Sequence, residues 1–317
     1  MQQANEREIL MRTHNRLRVY WMLVLTATLC ACASSAPVPT KGLPAASQLT
    51  SSGSLLYFSS GDYGPVMVYT FPEGQEVASF DVPGIPAGLC SDKQGNVFMA
   101  EPYGQKVEEY PHGATSPTAT FDFPPSPYGC AVDEGSTYLA VANEAGSVGV
   151  FNLSTKESKP ATYTYPGIES FFFCTYDDQG NLFVDGADSD AIIRLLELRK
   201  GESSLSLVKL GAKIPYSASI QWDGTYLAIS DGGSNKDSSV LRVKVKNHRA
   251  KIHARVTLRG PEPYTSQFWI QGNAIISPEN RSANVAWWSY PAGGQPTGII
   301  YQVGYAFGVT ISVAPSR

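Results

Sequence analysis

Histidine, cysteine and charge are all scarce in this chain, and each scarcity narrows what the protein can do. Only four histidines occur in 317 residues. His14 lies in the leading segment, and His112, His248 and His253 fall in outer turns and outer strands of the repeat described below. The sequence therefore offers no histidine for a zinc site or a general base at a central site. Of the five cysteines, those beyond the leading segment are Cys90, Cys130 and Cys174, an odd number, so no disulfide framework is implied. Charged residues make up 16%, with 28 acidic against 24 basic, which argues against nucleic acid as a partner. What is abundant is 29 Gly and 22 Pro among 43% hydrophobic residues, the profile of an ordered, turn-rich, all-β chain.

The first 31 residues read as a signal peptide. Arg12, Arg16 and Arg18 precede the apolar run VYWMLVLTATL, whose eleven residues are too few to span a bilayer as a stable helix. The run ends in Leu29-Cys30-Ala31-Cys32, which resembles the bacterial lipobox. That resemblance makes Cys32, preceded by the small Ala31, the diacylated residue and the mature N-terminus. Plain secretion is the alternative, and Met11 is an alternative start. Residues 32–53 are rich in Ser, Ala and Pro without apolar periodicity and read as a tether. Residues 54–317 form the body. Removal of residues 1–31 takes away four Arg and two Glu, leaving 20 basic against 26 acidic residues.

Within the body one unit recurs: apolar pair, small residue, polar loop, alternating strand, turn. With the second residue of each copy's marker strand as reference, the positions are Tyr57, Phe98, Leu139, Phe183, Leu227 and Ile275, spaced by 41, 41, 44, 44 and 48. This period predicts a six-bladed β-propeller of four-stranded blades. The chain starts on a second strand (Leu55 to Ser59) and ends on a first strand (Gly308 to Ser312), so the last strand is expected to complete the first blade. The turn Asp92-Lys93-Gln94-Gly95-Asn96 recurs as Asp177-Asp178-Gln179-Gly180-Asn181, Asp223-Gly224-Thr225 and Gln271-Gly272-Asn273. Asp caps backbone N–H groups in such turns, and Gly takes the positive φ.

In the second copy Pro86-x-Gly88, Asp92, Gly95-Asn96, Ala100-Glu101, Lys106-Val107 and Tyr110 stand at the spacings of the NHL repeat, which the body resembles over residues 54–314. The resemblance implies a propeller and leaves function open. Lactonases of the gluconolactonase type are similar in blade number, but they carry Glu and Asn/Asp at the starts of the channel strands. The corresponding positions here are Ala87, Tyr128, Phe172, Tyr216, Tyr264 and Phe307.

Five aromatic residues at one repeat position are expected to ring one mouth of the channel, either as a stacking rim for a glycan or protein partner or as packing between blades. The loops on that face carry Asp62, Glu101, Asn143, Asp185, Asp188, Asp190, Asp231 and Glu279. Asp185, Asp188 and Asp190 could hold calcium, or serve as Asx turns. Cys90, Cys130 and Cys174 fall on innermost strands and read as small buried hydrophobes, with thiolate metal binding as the alternative. One basic tract, Arg242, Lys244, Lys246, Arg249, Lys251, Arg255 and Arg259, alternates with apolar residues as an outer two-stranded ribbon. The function expected is a non-enzymatic, lipid-anchored envelope module binding a glycan or protein. The alternative is an envelope lactonase or hydrolase with a metal-assisted channel site.

Overall fold

The computed structural model describes residues 53–60, 64–82, 84, 86–155, 159–211, 219–231, 237–260, 267–279, 283–301 and 303–315. The chain divides into two units, Met1–Pro44 and Ala45–Arg317, and all described residues belong to the second. The signal peptide, Cys32 and the tether up to residue 52 lie outside them, as do Tyr216 and Tyr264.

Among the described residues every element is a strand, and the strands form a propeller-like ring of sheets. The first sheet has the order β24 (Ala306–Ser312), β1 (Ser54–Ser60), β2 (Val66–Phe71), β3 (Glu76–Phe80). The second runs β4 (Leu89–Ser91), β5 (Val97–Glu101), β6 (Lys106–Tyr110), β7 (Ala119–Asp122). The third runs β8 (Pro127–Val132), β9 (Tyr138–Asn143), β10 (Ser147–Asn152), β11 (Ala161–Tyr163). The last four-stranded sheet runs β20 (Trp269–Gln271), β21 (Ala274–Glu279), β22 (Asn284–Ser289), β23 (Gly298–Ile300).

Between the third and last lies an eight-stranded sheet. It runs β12 (Ile168–Tyr176), β13 (Leu182–Asp188), β14 (Ile193–Leu198), β15 (Ser206–Leu210), then β19 (Arg249–Arg259), β18 (Asp237–Lys246), β17 (Leu227–Ser230), β16 (Ile220–Trp222). The period predicts two separate sheets here. They are joined because the β18–β19 hairpin is long enough for Arg249 and Ala250 to pair in parallel with Lys209 and Leu210.

The expected latch is present: Leu55 to Phe58 pair antiparallel with Ser312 to Val309. Each sheet buries its faces against its neighbours. Leu56 and Phe58 of β1 pack with Ile276, Val285 and Trp287 of the last sheet, and Tyr57 and Leu55 pack with Leu89, Val97 and Met99 of the second. The first–second strand turns form as their chemistry dictates. Asp92 Oδ1 accepts the N–H groups of Gln94 (2.9 Å) and Asn96 (2.8 Å), and Asp177 does the same for Gln179 and Asn181 at 3.0 and 2.8 Å. Gly95 and Gly180 close these turns with φ of +87° and +81°.

Strands β24, β4, β8, β12, β16 and β20 are innermost, with one edge toward the axis. Their edge groups are met by the neighbouring innermost strands. Gly88 N–H donates to Tyr128 O (2.7 Å), Trp222 N–H to Thr175 Oγ1 (3.0 Å) and Phe268 N–H to Ser219 Oγ (3.1 Å). Gln221 accepts from Ile270 N–H (2.5 Å) and donates to Ile270 O (3.2 Å). Gln267 accepts from Leu89 N–H and Val309 N–H, both at 3.1 Å, and donates to Leu89 O at 2.6 Å. Ser91 Oγ donates to Ile311 O (2.7 Å).

The reading of Cys90 and Cys130 as free buried hydrophobes is overturned, because they form a disulfide across β4 and β8. A sequence separation of 40 hides this pairing, but adjacent innermost strands bring the two Cα atoms to 5.7 Å. Cys174 stays free and buried, its thiol pushed well up by desolvation. A cross-link closing a loop of this length stabilises by about 4 kcal/mol in the chain-entropy account. The paired change Cys90→Ala with Cys130→Ala should lower unfolding free energy by about that amount in urea titration. An unchanged transition midpoint and slope would show that the cross-link contributes nothing.

Candidate functional site

The first strands β4, β8, β12 and β16 run from one end of the ring to the turns capped by Asp92, Asp133, Asp177 and Asp223 at the other. The end at which first strands begin carries the predicted aromatic position. Tyr128 (β8), Phe172 (β12) and Phe307 (β24) meet there. The Tyr128 ring lies 5.6 Å from Phe172 at 72°, 5.4 Å from Phe173 at 71° and 5.4 Å from Phe307 at 90°. These are edge-to-face contacts of the favourable kind. All three predicted rings are half-buried, neither sealed in a core nor standing free.

Tyr128 and Phe307 come from strands separated by β4, and they touch because Ala87-Gly88 leads into β4. A Cβ on Gly88 would stand 2.5 Å from Tyr128 O, and one on Gly308 would stand 2.1 Å from Ala87 O. A glycine directly after the rim position is thus what lets these backbones converge. The signal was present in Ala87-Gly88, Tyr128-Gly129 and Phe307-Gly308 and was not read. The same end also carries the exposed tyrosines Tyr103 (71%), Tyr301 (68%) and Tyr305 (45%), which the repeat position does not reveal.

The carboxylates of this end divide by role. Asp185 is buried, and its Oδ1 accepts Phe173 N–H (2.6 Å) where β12 slips register against β13. Ser59 Oγ does equivalent work for Gly308 N–H at 2.8 Å. Asp188 Oδ1 accepts from Asp190 N–H (3.1 Å) and Ile192 N–H (3.0 Å), and its other oxygen pairs with Arg194 (2.8 Å). The Ile192 N–H and the Arg194 guanidinium hold the Asp188 carboxyl below its usual range. Asp190 is exposed on the turn. The three are therefore spread over a buried brace, a turn cap and an exposed side chain. Among the described residues no group of three or more His, Cys, Asp or Glu is placed to hold a metal ion.

Glu101, at the end of β5, is fully buried, with Lys106 Nζ at 3.5 Å. Lys106 also pairs with Glu108, which accepts Tyr110 O–H at 2.7 Å. Burial first, then the hydrogen bond and charge of Glu108, push the Glu101 carboxyl up to about 8 against the opposing pull of Lys106.

Toward the other end lies an axial cavity of about 820 Å³ that the sequence reading did not anticipate. Its walls include Ser91, Thr175, Tyr176, Gln221, Trp222 and Trp269. Asp92, Asp133 and Asp177 also border it, but their carboxylates are committed to capping their own turns. Glu134, paired with Lys93, and the exposed Asp178 border it too, so the cavity has aromatic and polar walls with an acidic border.

No family model matches the chain, and no curated protein does. Solved structures do. A chain of the nidogen/laminin complex superposes with a TM-score of 0.66 at 15% identity, covering 83% of this chain and 100% of that one. A protein of unknown function from Bacteroides caccae gives 0.61 at 11% identity, covering 82% and 99%. Hydrazine synthase of Kuenenia stuttgartiensis gives 0.54 at 10% identity, covering 71% and 70%. At these identities the likeness concerns the fold, which is a β-propeller.

The buried carboxyl makes a pH prediction. Glu101 keeps its proton up to about pH 8 in the folded chain but ionises near 4.5 once unfolded. The folded state then binds more protons between those values, so stability falls as pH rises through that window. Urea midpoints measured from pH 5 to pH 8.5 should decline, and Glu101→Gln should flatten the decline. An identical slope in wild type and variant would assign the dependence elsewhere.

Proposed function

We propose that this chain is a six-bladed propeller of the NHL type that serves as a non-enzymatic binding module of the bacterial cell envelope. It is held by lipid on Cys32 and grips a glycan or a protein at its aromatic end. The eight-stranded sheet counts as two blades fused along their outer edges. The observation that carries the reading is the concentration of aromatic side chains at one end. Tyr128, Phe172 and Phe307 are half-buried around the axis, with Tyr103, Tyr301 and Tyr305 exposed beside them. Tyrosine at this density offers flat apolar faces with polar tips, suited to sugar rings and to protein interfaces alike.

Two further features support the reading. A disulfide between innermost strands suits an oxidising compartment outside the cytoplasm. The β-propeller fold is consistent with a binding module. The lactonase alternative needs carboxylates or amides at the axial strand starts. The described starts carry Ala87, Tyr128, Phe172 and Phe307 instead.

The test uses exposed residues, so that folding is not at stake. The full chain should sediment with purified peptidoglycan sacculi, or a photo-crosslinker in place of Tyr103 should give one defined protein adduct in cells. Tyr103→Ala with Tyr305→Ala should weaken the observed interaction about tenfold, the worth of one good contact, at unchanged melting temperature. Neither sacculus binding nor an adduct, or full binding by the variant, would contradict the proposal. Anchoring is tested separately: radiolabelled palmitate should enter the wild type and be lost on Cys32→Ser, whereas persistence would move the acceptor to Cys30.

A further inference from the structure

The β18–β19 hairpin concentrates positive charge in a protein whose formal net charge is −4. Two of its seven basic residues have partners. Arg242 pairs with Asp223 (2.6 Å) and lies 4.5 Å from the Tyr226 ring, and Arg255 pairs with Asp231. Lys244, Lys246, Arg249 and Lys251 are exposed and have no ion-pair partner among the described residues. They cluster at the tip, around the turn at Asn247 and His248, whose φ values are +50° and +55°.

Register makes this cluster costly for the isolated protein. Lys244 stands directly opposite Lys251, and Lys246 directly opposite Arg249. Lys209, also exposed, is the partner of Arg249 from β15. Like charges facing each other across a ladder repel. Defence of a free sheet edge does not account for the cations of β19 at the tip, because its outer edge there is covered by β15. An anionic partner would relieve the repulsion.

Position identifies that partner. The pairing of β17 with β18 stops at Leu227 and Val243, so the tip projects about 10 Å past its inner neighbour, at roughly 3.3 Å per residue. A projecting tip forms no pocket and suits a broad surface. The tip lies at the Asp-capped end, opposite the aromatic rings, and the chain enters β1 at Gly53–Ser54 at this same end, after 52 preceding residues.

We infer that the tip formed by Lys244, Lys246, Arg249 and Lys251, with Lys209, docks on an anionic phospholipid surface and turns the aromatic end away from it. The orientation rests on the aromatic end being the binding end, whereas the docking itself does not. Cationic side chains near an anionic leaflet are attracted within a Debye length, so the interaction weakens with salt.

The experiment is flotation of the full chain carrying Cys32→Ser with phosphatidylcholine vesicles, with and without phosphatidylglycerol. Arg7, Arg12, Arg16 and Arg18 precede the apolar run of residues 19–29 and favour anionic vesicles in wild type and variant alike, so the tip is read from the difference between the two proteins. Anionic vesicles at low salt should carry about tenfold more protein than neutral ones, and the excess should vanish near 1 M salt. Lys244→Gln, Lys246→Gln and Lys251→Gln together should remove most of the excess. Sacculus sedimentation or Tyr103 crosslinking of the same variant should stay at the wild-type level, so a failure at the tip and a failure at the aromatic end are read separately. Equal flotation on both vesicle types, or an undiminished excess in the variant, would overturn the inference. Binding to polyglutamate without binding to vesicles would overturn it too, assigning the tip to an acidic protein.

Discussion

Closing sheets into a ring creates one unavoidable problem: every innermost strand presents an edge of unpaired N–H and C=O groups toward the axis. Leaving such groups unmet costs about 1–3 kcal/mol each where water is excluded. Here polar side chains of one innermost strand bond the backbone of the next. Gln267 alone meets three such groups, on Leu89 and Val309, and Gln221 meets two on Ile270. Thr175, Ser219 and Ser91 add one each. Buried polar residues at the ring's centre are thus chiefly scaffold.

The same accounting separates scaffold from surface at the aromatic end. Asp185 and Ser59 satisfy amides freed where the inner strands are irregular, so they are committed to the backbone. The rings of Tyr128, Phe172 and Phe307 pack on one another, while Tyr103, Tyr301 and Tyr305 are exposed. What this end can present is therefore largely aromatic, with Asp185 and Asp188 committed to a brace and a cap and Asp190 exposed. The opposite end is different in kind, carrying an axial cavity with an acidic border and, on the outer hairpin, a projecting positive tip.

How much of this could be read from sequence follows from range. The repeat spacing from Tyr57 to Ile275, the Asp-capped turns and the pairing of the first and last strands were legible, because each rests on local patterning and on the rule that edges seek partners. The convergence of Tyr128 with Phe172 and Phe307 follows from one repeat position. The approach of Cys90 to Cys130 was legible from their place on innermost strands of consecutive repeats, but their bonding as a disulfide was not. Nor was the joining of β15 to β19, which depends on the length of a hairpin rather than on its pattern. Burial separates Glu101, fully enclosed with a raised pKa, from Asp190, exposed on its turn, and the sequence shows both only as acidic loop residues.

The claim that side chains close the ring from within is tested most directly by amide hydrogen exchange, residue by residue, under native conditions. The N–H groups of Leu89, Trp222, Phe268, Ile270 and Val309 should be among the most slowly exchanging, with opening free energies near that of global unfolding. In Gln267→Ala, Leu89 and Val309 should lose protection while Trp222 keeps it. Fast exchange at these positions in the wild type, typical of an open sheet edge, would contradict the account.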